Sequence, residues 1–499
     1  MALARSLPSR SLPAELSARR LRAIPGPLAA LLVLPTVELF CWALFNPPLQ
    51  TGDESAHVAY VQKIVDAHVV PWPNGKRLAR DDGGTISTEI GIYEYWSGLN
   101  QLRGNLGARP LWTDEDERIA DRRLDALPDS ARRDGGNNAT FSNPPLYYFY
   151  ASVPYWVTKG SALGTRIDAV RLANLPFVLV TVIATWLLAL ELFGRRRVLA
   201  ATLATAAVAL HPVLASVDGG VTPDGLLGAL WALGLLAAVR VVRYGLGRRR
   251  VAALAGVAVA ASLTQGRGLP LVAVALVALA VAGRDRWWPG WGRRWRALAV
   301  AGVALAVVAV VYGALRYVTH GELGTGRPQQ FLSYLWQFYL KPLTGMQPPP
   351  GAGWGFRQVY IDRFYGTFDQ FEITEPAWVL DLLKWGSMAG LLAMGCALTA
   401  RWDVVRLHLR ELAVLVAAVA LSVLGLHMQA YHELLVDSSD PIITGRYLLV
   451  LLPVFGCAIA FTVTALPRRA SAVVGGALLG AGALLQISAL GVLLLRFYA

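Results

Sequence analysis

The chain of 499 residues is 55% hydrophobic and only 16% charged, whereas soluble globular domains carry about 25% charged residues. This surplus of apolar side chains excludes a soluble globular protein and predicts helices that face lipid. The formal net charge of +13 does not indicate a nucleic-acid partner, because the arginines stand in short clusters between apolar runs of membrane-spanning length.

About eleven apolar runs follow one another along the chain, and each predicts a membrane span. They cover residues 27–45, 170–193, 198–216, 223–243, 251–265, 268–283, 297–317, 378–400, 411–427, 446–465 and 471–495. The predicted fold class is therefore all-α, an integral membrane bundle of about 11 transmembrane helices. No glycine-rich nucleotide-binding motif follows a predicted strand, so a soluble nucleotide-sugar or ATP site is not expected.

The arginine clusters assign a side of the membrane to each connection. They occupy residues 19–22, 195–197, 240–250, 284–296, 401–410 and 468–469, which are every second connection. Because arginine-rich loops stay in the cytoplasm, the tail 1–26 is predicted to be cytoplasmic and the other connections to face outward across a plasma membrane. The chain then divides into a transmembrane core at 27–317 with an outer loop at 46–169, a second outer loop at 318–377, and C-terminal transmembrane helices at 378–499.

The aromatic segment 144–157 lies within the first outer loop and is apolar enough to suggest a further span. If it crossed the membrane, residues 195–197 and every later arginine cluster would lie outside. We therefore predict a helix that lies flat on the outer surface, where tyrosine and tryptophan favour the interface.

The first candidate site follows the first span directly, in the sequence NPPLQTGDESAH at 46–57. A helix that starts at Gly52 would place Asp53 and His57 on one face, because they are four residues apart. Both are therefore candidate catalytic residues. Glu54 has two interpretations: a catalytic carboxylate, or the end of a capping box in which Thr51 is the N-cap and Glu54 reaches back to its N–H.

Two more carboxylates lie at the outer link between the third and fourth spans. Thr222 as N-cap and Pro223 as the first helical residue would begin the fourth span, and Asp224 would then only complement the helix dipole. The alternative is that Asp218 and Asp224 bind substrate at the outer face.

Two arginines supply the positive charge that a phosphate-binding site needs. Arg446, followed by Tyr447, opens the tenth span at its outer end, and Arg267 lies in the tight outer link 265–268. Each arginine could extend to the lipid headgroups as an anchor, or grip a phosphate through two parallel hydrogen bonds. Arg446, Tyr447 and Arg267 are therefore candidate phosphate-binding residues.

Four short motifs occur in order along nearly the whole chain: NPPLQTGDESAH at 46–57, SNPPLYY at 142–148, VTPD at 221–224 and GRYLLVLLP at 445–453. As an ordered set they resemble a bacterial, actinobacterial-type family of uncharacterised predicted membrane proteins. That family in turn resembles the GT-C class of glycosyltransferases, which includes protein O-mannosyltransferases and the aminoarabinose transferases that modify lipid A.

The resemblance implies a GT-C-like bundle whose large first outer loop carries surface-lying helices. It also implies a polyprenyl-phosphate-linked sugar donor and an acidic catalytic residue just after the first span, a motif that Asp53 and Glu54 match. The PPLYY stretch matches a surface helix, in agreement with the flat placement inferred from the arginines. No acceptor-binding motif matches, so the acceptor is left as a cell-envelope glycan, lipid or protein.

The chemistry expected from these residues is an inverting sugar transfer. A polyprenyl phosphate is a competent leaving group, so the reaction needs a base for the acceptor hydroxyl and positive charge at the departing phosphate. We assign these roles to Asp53 and Arg446. A divalent cation (Mg²⁺, Mn²⁺ or Ca²⁺) is left open, with Glu54, Asp218 or Asp224 as its oxygen ligands.

Two other classes of function are compatible with the sequence. A polytopic transporter is disfavoured because the spans carry almost no mid-helix charge apart from Glu38, whereas transporters bind substrate near the bilayer midplane. A non-catalytic envelope-assembly membrane protein fits every feature except the ordered motifs.

Overall fold

The computed structural model describes residues 24–74, 86–99, 113–128, 130, 138–195, 197–287, 328–346, 355–369, 373–436 and 443–499. The helices are α1 Gly26–Phe45, α2 Glu54–Val65, α3 Thr88–Trp96, α4 Asp114–Asp125, α5 Leu146–Val157, α6 Leu163–Leu172, α7 Leu175–Phe193, α8 Val198–Ala209, α9 Pro212–Asp218, α10 Asp224–Tyr244, α11 Arg248–Thr264, α12 Leu269–Trp287, α13 Pro328–Tyr339, α14 Ala377–Ala400, α15 Leu409–Val436, α16 Leu452–Thr464 and α17 Arg468–Phe497. Short 3-10 helices occur at Ala139–Ser142, Gly266–Gly268, Arg406–His408 and Gly445–Leu451, and a π-helical turn at Gln358–Asp362. The strands β1 Thr367–Phe368 and β2 Ile373–Thr374 form an antiparallel hairpin.

Eight helical stretches in these described residues are long and apolar enough to cross a membrane. They are Gly26–Phe45, Leu163–Phe193, Asp224–Tyr244, Gly266–Gly283, Ala377–Ala400, Trp402–Tyr431, Gly445–Thr464 and Arg468–Phe497. The helices α8 and α9 form a ninth candidate that bends by 57° at its break. The predicted all-α integral membrane bundle is confirmed, and the protein is a multi-pass membrane protein.

Nine of the eleven predicted spans correspond to these stretches, and the exceptions are 251–265 and 297–317. The predicted span 251–265 is a helix, α11, of 17 residues that begins with three arginines, and it falls short of the length expected of most spans. The predicted span 297–317 and most of the N-terminal tail 1–26 lie outside the described residues. The predicted third span, 198–216, is not one straight helix, because Pro212 cannot donate the backbone hydrogen bond that would continue α8.

The centre of the bundle is formed by α7, α8, α10, α12, α15 and α16, which bury mainly alanine, valine and leucine. Small residues let these helices approach closely, as is usual inside membranes. A Cβ atom on Gly456 of α16 would lie 2.1 Å from the carbonyl oxygen of Ala204 in α8, so this crossing requires glycine. The helices α14 and α17 lie at the periphery, where most of their apolar side chains are exposed and therefore face lipid.

The described parts of the segment 46–169 build a second core from the helices α2 to α5. This core is rich in tyrosine, and Tyr60 stacks on Tyr148 with ring centroids 3.7 Å apart. The helix α5 has 12 residues, which makes it about 18 Å long and too short to cross a hydrocarbon layer of about 30 Å. Its outward face carries Phe149, Val153 and Trp156, all exposed, which fits the predicted surface-lying helix.

Candidate functional site

Asp53 lies at the N-terminus of α2, and its side chain is exposed. Its φ of +63° is a left-handed conformation, which aspartate adopts more readily than most residues. The helix begins at Glu54 and not at Gly52, so the predicted start is wrong by two residues. Asp53 and His57 remain one helical turn apart, because the backbone N–H of His57 donates to the carbonyl oxygen of Asp53 at 3.0 Å.

The loop before Asp53 is packed against two distant parts of the chain. Asn46 donates a hydrogen bond to the carboxylate of Asp369, 2.8 Å away in the segment 318–377. A Cβ atom on Gly52 would lie 2.9 Å from the carbonyl oxygen of Asp369 and 2.3 Å from Nη1 of Arg446. Only glycine therefore allows this loop to approach the arginine so closely.

Glu54 points into the protein, and its side chain is fully buried. Its two carboxylate oxygens accept hydrogen bonds from Nε and Nη2 of Arg171, at 2.8 and 2.6 Å. The backbone N–H of Val221 donates a third, at 2.8 Å. The remaining donors of Arg171 bind the carbonyl oxygens of Ala43, Asn46 and Pro47 at 2.9, 2.7 and 3.0 Å.

The capping-box interpretation of Glu54 is therefore wrong. A capping glutamate would return to the N–H of Thr51, but this carboxylate forms a bidentate ion pair with Arg171 of α6. The pair ties the end of α1, the start of α2 and the link before α10 to one another, and it leaves no open oxygen on Glu54.

Asp224, Arg446 and Arg267 form a second cluster of arginines around a carboxylate. Nε and Nη2 of Arg446 both lie 3.0 Å from one oxygen of Asp224, and Arg267 pairs with the other oxygen. The guanidinium of Arg267 also lies over the ring of Tyr447, 4.3 Å from its centroid. The structure thus brings together four residues that the sequence placed in three separate links.

Two of the simpler interpretations of this cluster are wrong. Arg446 is only 7% exposed, so it does not extend to the lipid headgroups as an interfacial anchor. Thr222 does not cap α10, because the helix begins at Asp224 with Pro223 at the N-cap position, and the Thr222 hydroxyl donates to the carbonyl of Val217. Asp224 does lie in the first turn of the helix, but its main partners are the two arginines.

The charges of the cluster do not balance. Two arginines surround one carboxylate, so Asp224, Arg446 and Arg267 together carry one positive charge. Asp53 is exposed and directly follows Gly52, whose backbone packs against Arg446. An accessible carboxylate therefore adjoins a buried cationic surface, an arrangement that can bind a proton and an anion side by side.

His57 is buried beside this cluster and makes a hydrogen bond with Tyr148. Asn143 donates to the Tyr148 hydroxyl at 3.0 Å, and this hydroxyl lies 2.8 Å from Nδ1 of His57. Burial lowers the pKa of His57 to about 4, against the opposing charge of Asp53, so the ring is neutral near pH 7.

Asp218 lies behind the cluster and not within it. Its carboxyl group is 4% exposed and lines an internal cavity between α1, α7 and α9. Within the described ranges, no group of three histidine, cysteine or acidic side chains converges in a way that could hold a metal ion. Two of the three carboxylates left open as cation ligands, Glu54 and Asp224, have arginine partners.

Several residues of the site were not identified from the sequence. Arg171 carried a usable signal, because an arginine within an apolar run requires a buried carboxylate partner. Tyr148 stood within the SNPPLYY motif but was assigned only to a surface helix. Asn46 and Asp369 had no local signal, since their contact joins residues 323 positions apart.

Comparison with solved structures finds distant likenesses among membrane glycosyltransferases of the GT-C class. ArnT from Cupriavidus metallidurans, solved with bound undecaprenyl phosphate, is 16% identical with a TM-score of 0.42, over 91% of this chain and 63% of that one. The oligosaccharyltransferase of Archaeoglobus fulgidus in its apo form is 11% identical with a TM-score of 0.45, over 94% of this chain and 56% of that one. The chain thus spans less than two thirds of the length of either protein. No curated protein sequence matches it.

The sequence profile of one family covers most of the chain. This family is described as predicted membrane proteins, DUF2142, and it matches residues 38–455. The match includes all four motifs identified from the sequence, and it confirms the resemblance that they indicated. The chain is therefore a member of the DUF2142 family of predicted membrane proteins.

Proposed function

We propose that this protein is a glycosyltransferase that moves a sugar from a polyprenyl-phosphate-linked donor to a hydroxyl group of a cell-envelope glycan, lipid or protein. One observation carries the proposal: the exposed carboxylate of Asp53 adjoins the cluster of buried Arg446 and Asp224 with partly exposed Arg267, which has one positive charge in excess. Sugar transfer from a lipid phosphate requires this pairing of a base with an anion site.

The proposed reaction is a single displacement. Asp53 removes the proton of the acceptor hydroxyl as its oxygen forms a bond to the anomeric carbon, and the bond from that carbon to the phosphate oxygen breaks. The departing polyprenyl phosphate keeps the bonding electron pair, and Arg446 and Arg267 stabilise its negative charge. One displacement inverts the anomeric configuration.

The position of the cluster supports an active site on the outer face. Asp224 begins α10, and Arg240 and Arg243 lie near the end of this 21-residue helix, about 30 Å away. Arginines that flank a span favour the cytoplasm, so the end that carries Asp224 is proposed to face outward.

Cysteine labelling tests this orientation. Arg118 lies in the first outer loop and is 62% exposed, and Arg249 is exposed at the start of α11. In a background in which the three native cysteines are alanine, an impermeant maleimide should label Arg118→Cys in intact cells and Arg249→Cys only after permeabilisation. The opposite pattern would exclude an outward-facing site.

The activity is tested by complementation of a deletion strain, with mass spectrometry of the cell-envelope glycans. We expect wild-type protein to restore a missing sugar and Asp53→Asn to restore about a hundredfold less, because general-base catalysis contributes about 10²–10⁴-fold. Glu115→Gln is the matched control, because Glu115 is an exposed carboxylate of the same loop. Full restoration by Asp53→Asn, at equal protein levels, would refute the proposal.

A transporter is the second candidate, and one observation favours it: the carboxyl group of Glu38 lines a cavity inside the bundle. Purified protein separates the two functions. Transfer of sugar from a defined polyprenyl-phosphate donor in detergent supports the enzyme, whereas solute movement into vesicles without any transfer supports the transporter.

A further inference from the structure

A small cavity lies inside the bundle, where α1, α7, α8 and α9 meet. Its volume is about 20 Å³, which is enough for one water molecule. Three of its lining side chains can ionise: Glu38 from α1, His211 from the break between α8 and α9, and Asp218 from the end of α9. They are 5%, 4% and 4% exposed.

Each of these side chains has a buried polar atom without a protein partner. The atoms are Oε1 of Glu38, Nε2 of His211 and Oδ1 of Asp218. A buried polar group without a partner costs about 1–3 kcal/mol, and polar cavities of this kind hold bridging water. The three atoms are therefore suited to one hydrogen-bonded group with internal water.

The hydrogen bonds around the cavity define which atoms can donate. Nδ1 of His211 accepts the backbone N–H of Leu214 at the start of α9, so a neutral His211 carries its proton on Nε2. Nε2 of Gln486, from α17, donates to Oε2 of Glu38 at 3.0 Å. One imidazole N–H and two carboxyl oxygens without protein partners therefore line the cavity.

Positive charge is missing from this part of the described structure. The other titratable groups that face the three residues are Cys41 beside Glu38, Asp224 beside Asp218, and Tyr365, whose ring stacks on His211. None of them is a cation, and the lining residues of α7 are uncharged. Two ionised carboxylates inside a membrane bundle without a cation would be costly, so the stable state of the cavity includes bound protons.

We propose that Glu38, His211 and Asp218, bridged by internal water, form a proton-binding site within the membrane bundle. A break in a helix at membrane depth is tolerated where it lines such a polar cavity, and the break at His211 meets this condition. The ligand of the site is the proton itself, held by the two carboxyl groups.

The site adjoins the candidate active site through Asp218. A Cβ atom on Gly225 would lie 2.7 Å from Oδ1 of Asp218, so this oxygen lies against the first turn of α10, next to Asp224. The two acidic groups interact electrostatically. If an anionic phosphate binds Arg446 and Arg267, as the proposed function requires, it adds negative charge beside Asp224 and strengthens the hold of Asp218 on its proton.

Proton binding at one position and phosphate binding at the other are then coupled, and the coupling is reciprocal. Phosphate binding favours the protonated form of Asp218. Loss of that proton at high pH disfavours phosphate binding. A binding experiment can detect this linkage as a phosphate affinity that depends on pH.

Infrared spectroscopy of the purified protein tests the site without any substrate. Protonated carboxyl groups give a carbonyl band that is absent from carboxylates, and we expect this band at neutral pH in the wild type. Glu38→Gln and Asp218→Asn keep a neutral, similarly shaped side chain and should each remove part of the band. Glu191→Gln is the control, because Glu191 is ion-paired with Arg240 at 2.8 Å and should contribute nothing to it. A band unchanged in both variants would overturn the proposal.

The linkage is tested with undecaprenyl methyl phosphate, a diester whose single negative charge does not change with pH. We expect its affinity for the wild type to fall as pH rises, by about 5- to 150-fold in total, and its affinity for Asp218→Asn to stay level over the same range. A level wild-type affinity would refute the coupling. The failure of the diester to bind at any pH, with the infrared band present, would count against the proposed function and leave the proton site in place.

Discussion

Two clusters of arginine and carboxylate lie at the candidate site, and they differ in how completely their charges are matched. In the cluster of Glu54 and Arg171, both side chains are fully buried and every oxygen of the carboxylate has a partner. In the cluster of Asp224, Arg446 and Arg267, one carboxylate serves two arginines. The first cluster is closed, whereas the second retains a positive charge.

From this difference we infer a structural role for the first cluster and propose a binding role for the second. A closed ion pair has nothing left to offer a ligand, and its value lies in joining α2, α6 and the link before α10. In a cluster with surplus charge, the carboxylate offsets part of the desolvation cost of the arginines. The remaining positive charge still attracts an anion. The neighbouring residues Asp53 and Glu54 show the same division. Asp53 is exposed, whereas Glu54 is buried and fully hydrogen-bonded within the first cluster.

The largest effect is expected from breaking the closed cluster. Glu54→Gln leaves the buried Arg171 guanidinium with only the more distant carboxylate of Asp168, 3.7 Å away, and the loss of one partner of a buried pair costs about 3–5 kcal/mol. We expect little folded protein and a lower midpoint of thermal unfolding in detergent, measured by tryptophan fluorescence.

The double variant Glu54→Leu with Arg171→Met is the control for this prediction. It removes both charges at once, so it should be more stable than Glu54→Gln alone. A Glu54→Gln protein that unfolds like the wild type but has lost sugar transfer would contradict the structural role and restore the catalytic interpretation of Glu54.

A smaller effect is expected from the open cluster. Arg446→Lys keeps the charge but cannot form two parallel hydrogen bonds, so sugar transfer should fall about tenfold, and Arg446→Ala should fall about a hundredfold. The measurement is transfer from a defined polyprenyl-phosphate sugar by purified protein, with each variant checked for a monodisperse elution profile.

Arg243→Lys serves as the matched control, because Arg243 lies at the far end of α10 from the cluster. It should transfer sugar at the wild-type rate. Equal rates for Arg446→Lys and the wild type would contradict a gripping role for Arg446 and assign the phosphate to Arg267.

The fold was predictable from the sequence where a single physical signal dominated. Apolar length defined the spans, and the aromatic segment 144–157 forms α5, a helix of only 12 residues, as its short length indicated. The break at Pro212 was missed because the apolar pattern continues through it, although proline alone gives reason to expect it. The start of α10 was misplaced because Thr222 fits the composition of an N-cap while its hydroxyl bonds elsewhere.

The candidate site was predictable in its residues but not in their partners. Asp53, His57, Asp224, Arg446 and Arg267 were selected one by one, because carboxylates and arginines at the ends of spans are costly and therefore informative. Which arginine pairs with which carboxylate depends on how the helices are arranged, and no local pattern records that. Glu54 was misread for this reason: its capping-box spacing is a local feature, whereas Arg171 lies 117 positions away.

The smallest effect is expected at His57, which lies beside the open cluster but is neutral. Loss of its hydrogen bond to Tyr148 in a His57→Gln variant should change transfer at pH 7.5 by about fivefold or less, since one such bond contributes about 1 kcal/mol.

The stability of the protein gives the sharper test of His57. Because burial lowers the pKa of His57 to about 4, below its unfolded value of about 6.5, the unfolded chain binds a proton that the folded protein excludes between these values. Stability contributed by neutral His57 is therefore present above pH 6.5 and is lost as pH falls toward 4. Thermal unfolding at pH 7.5 and pH 5 should show a loss about 2 kcal/mol larger in the wild type than in His57→Gln. Tyr148→Phe, which retains the imidazole, should keep most of that pH dependence. Equal losses of stability in the wild type and His57→Gln would contradict the burial of a neutral His57 beside the open cluster.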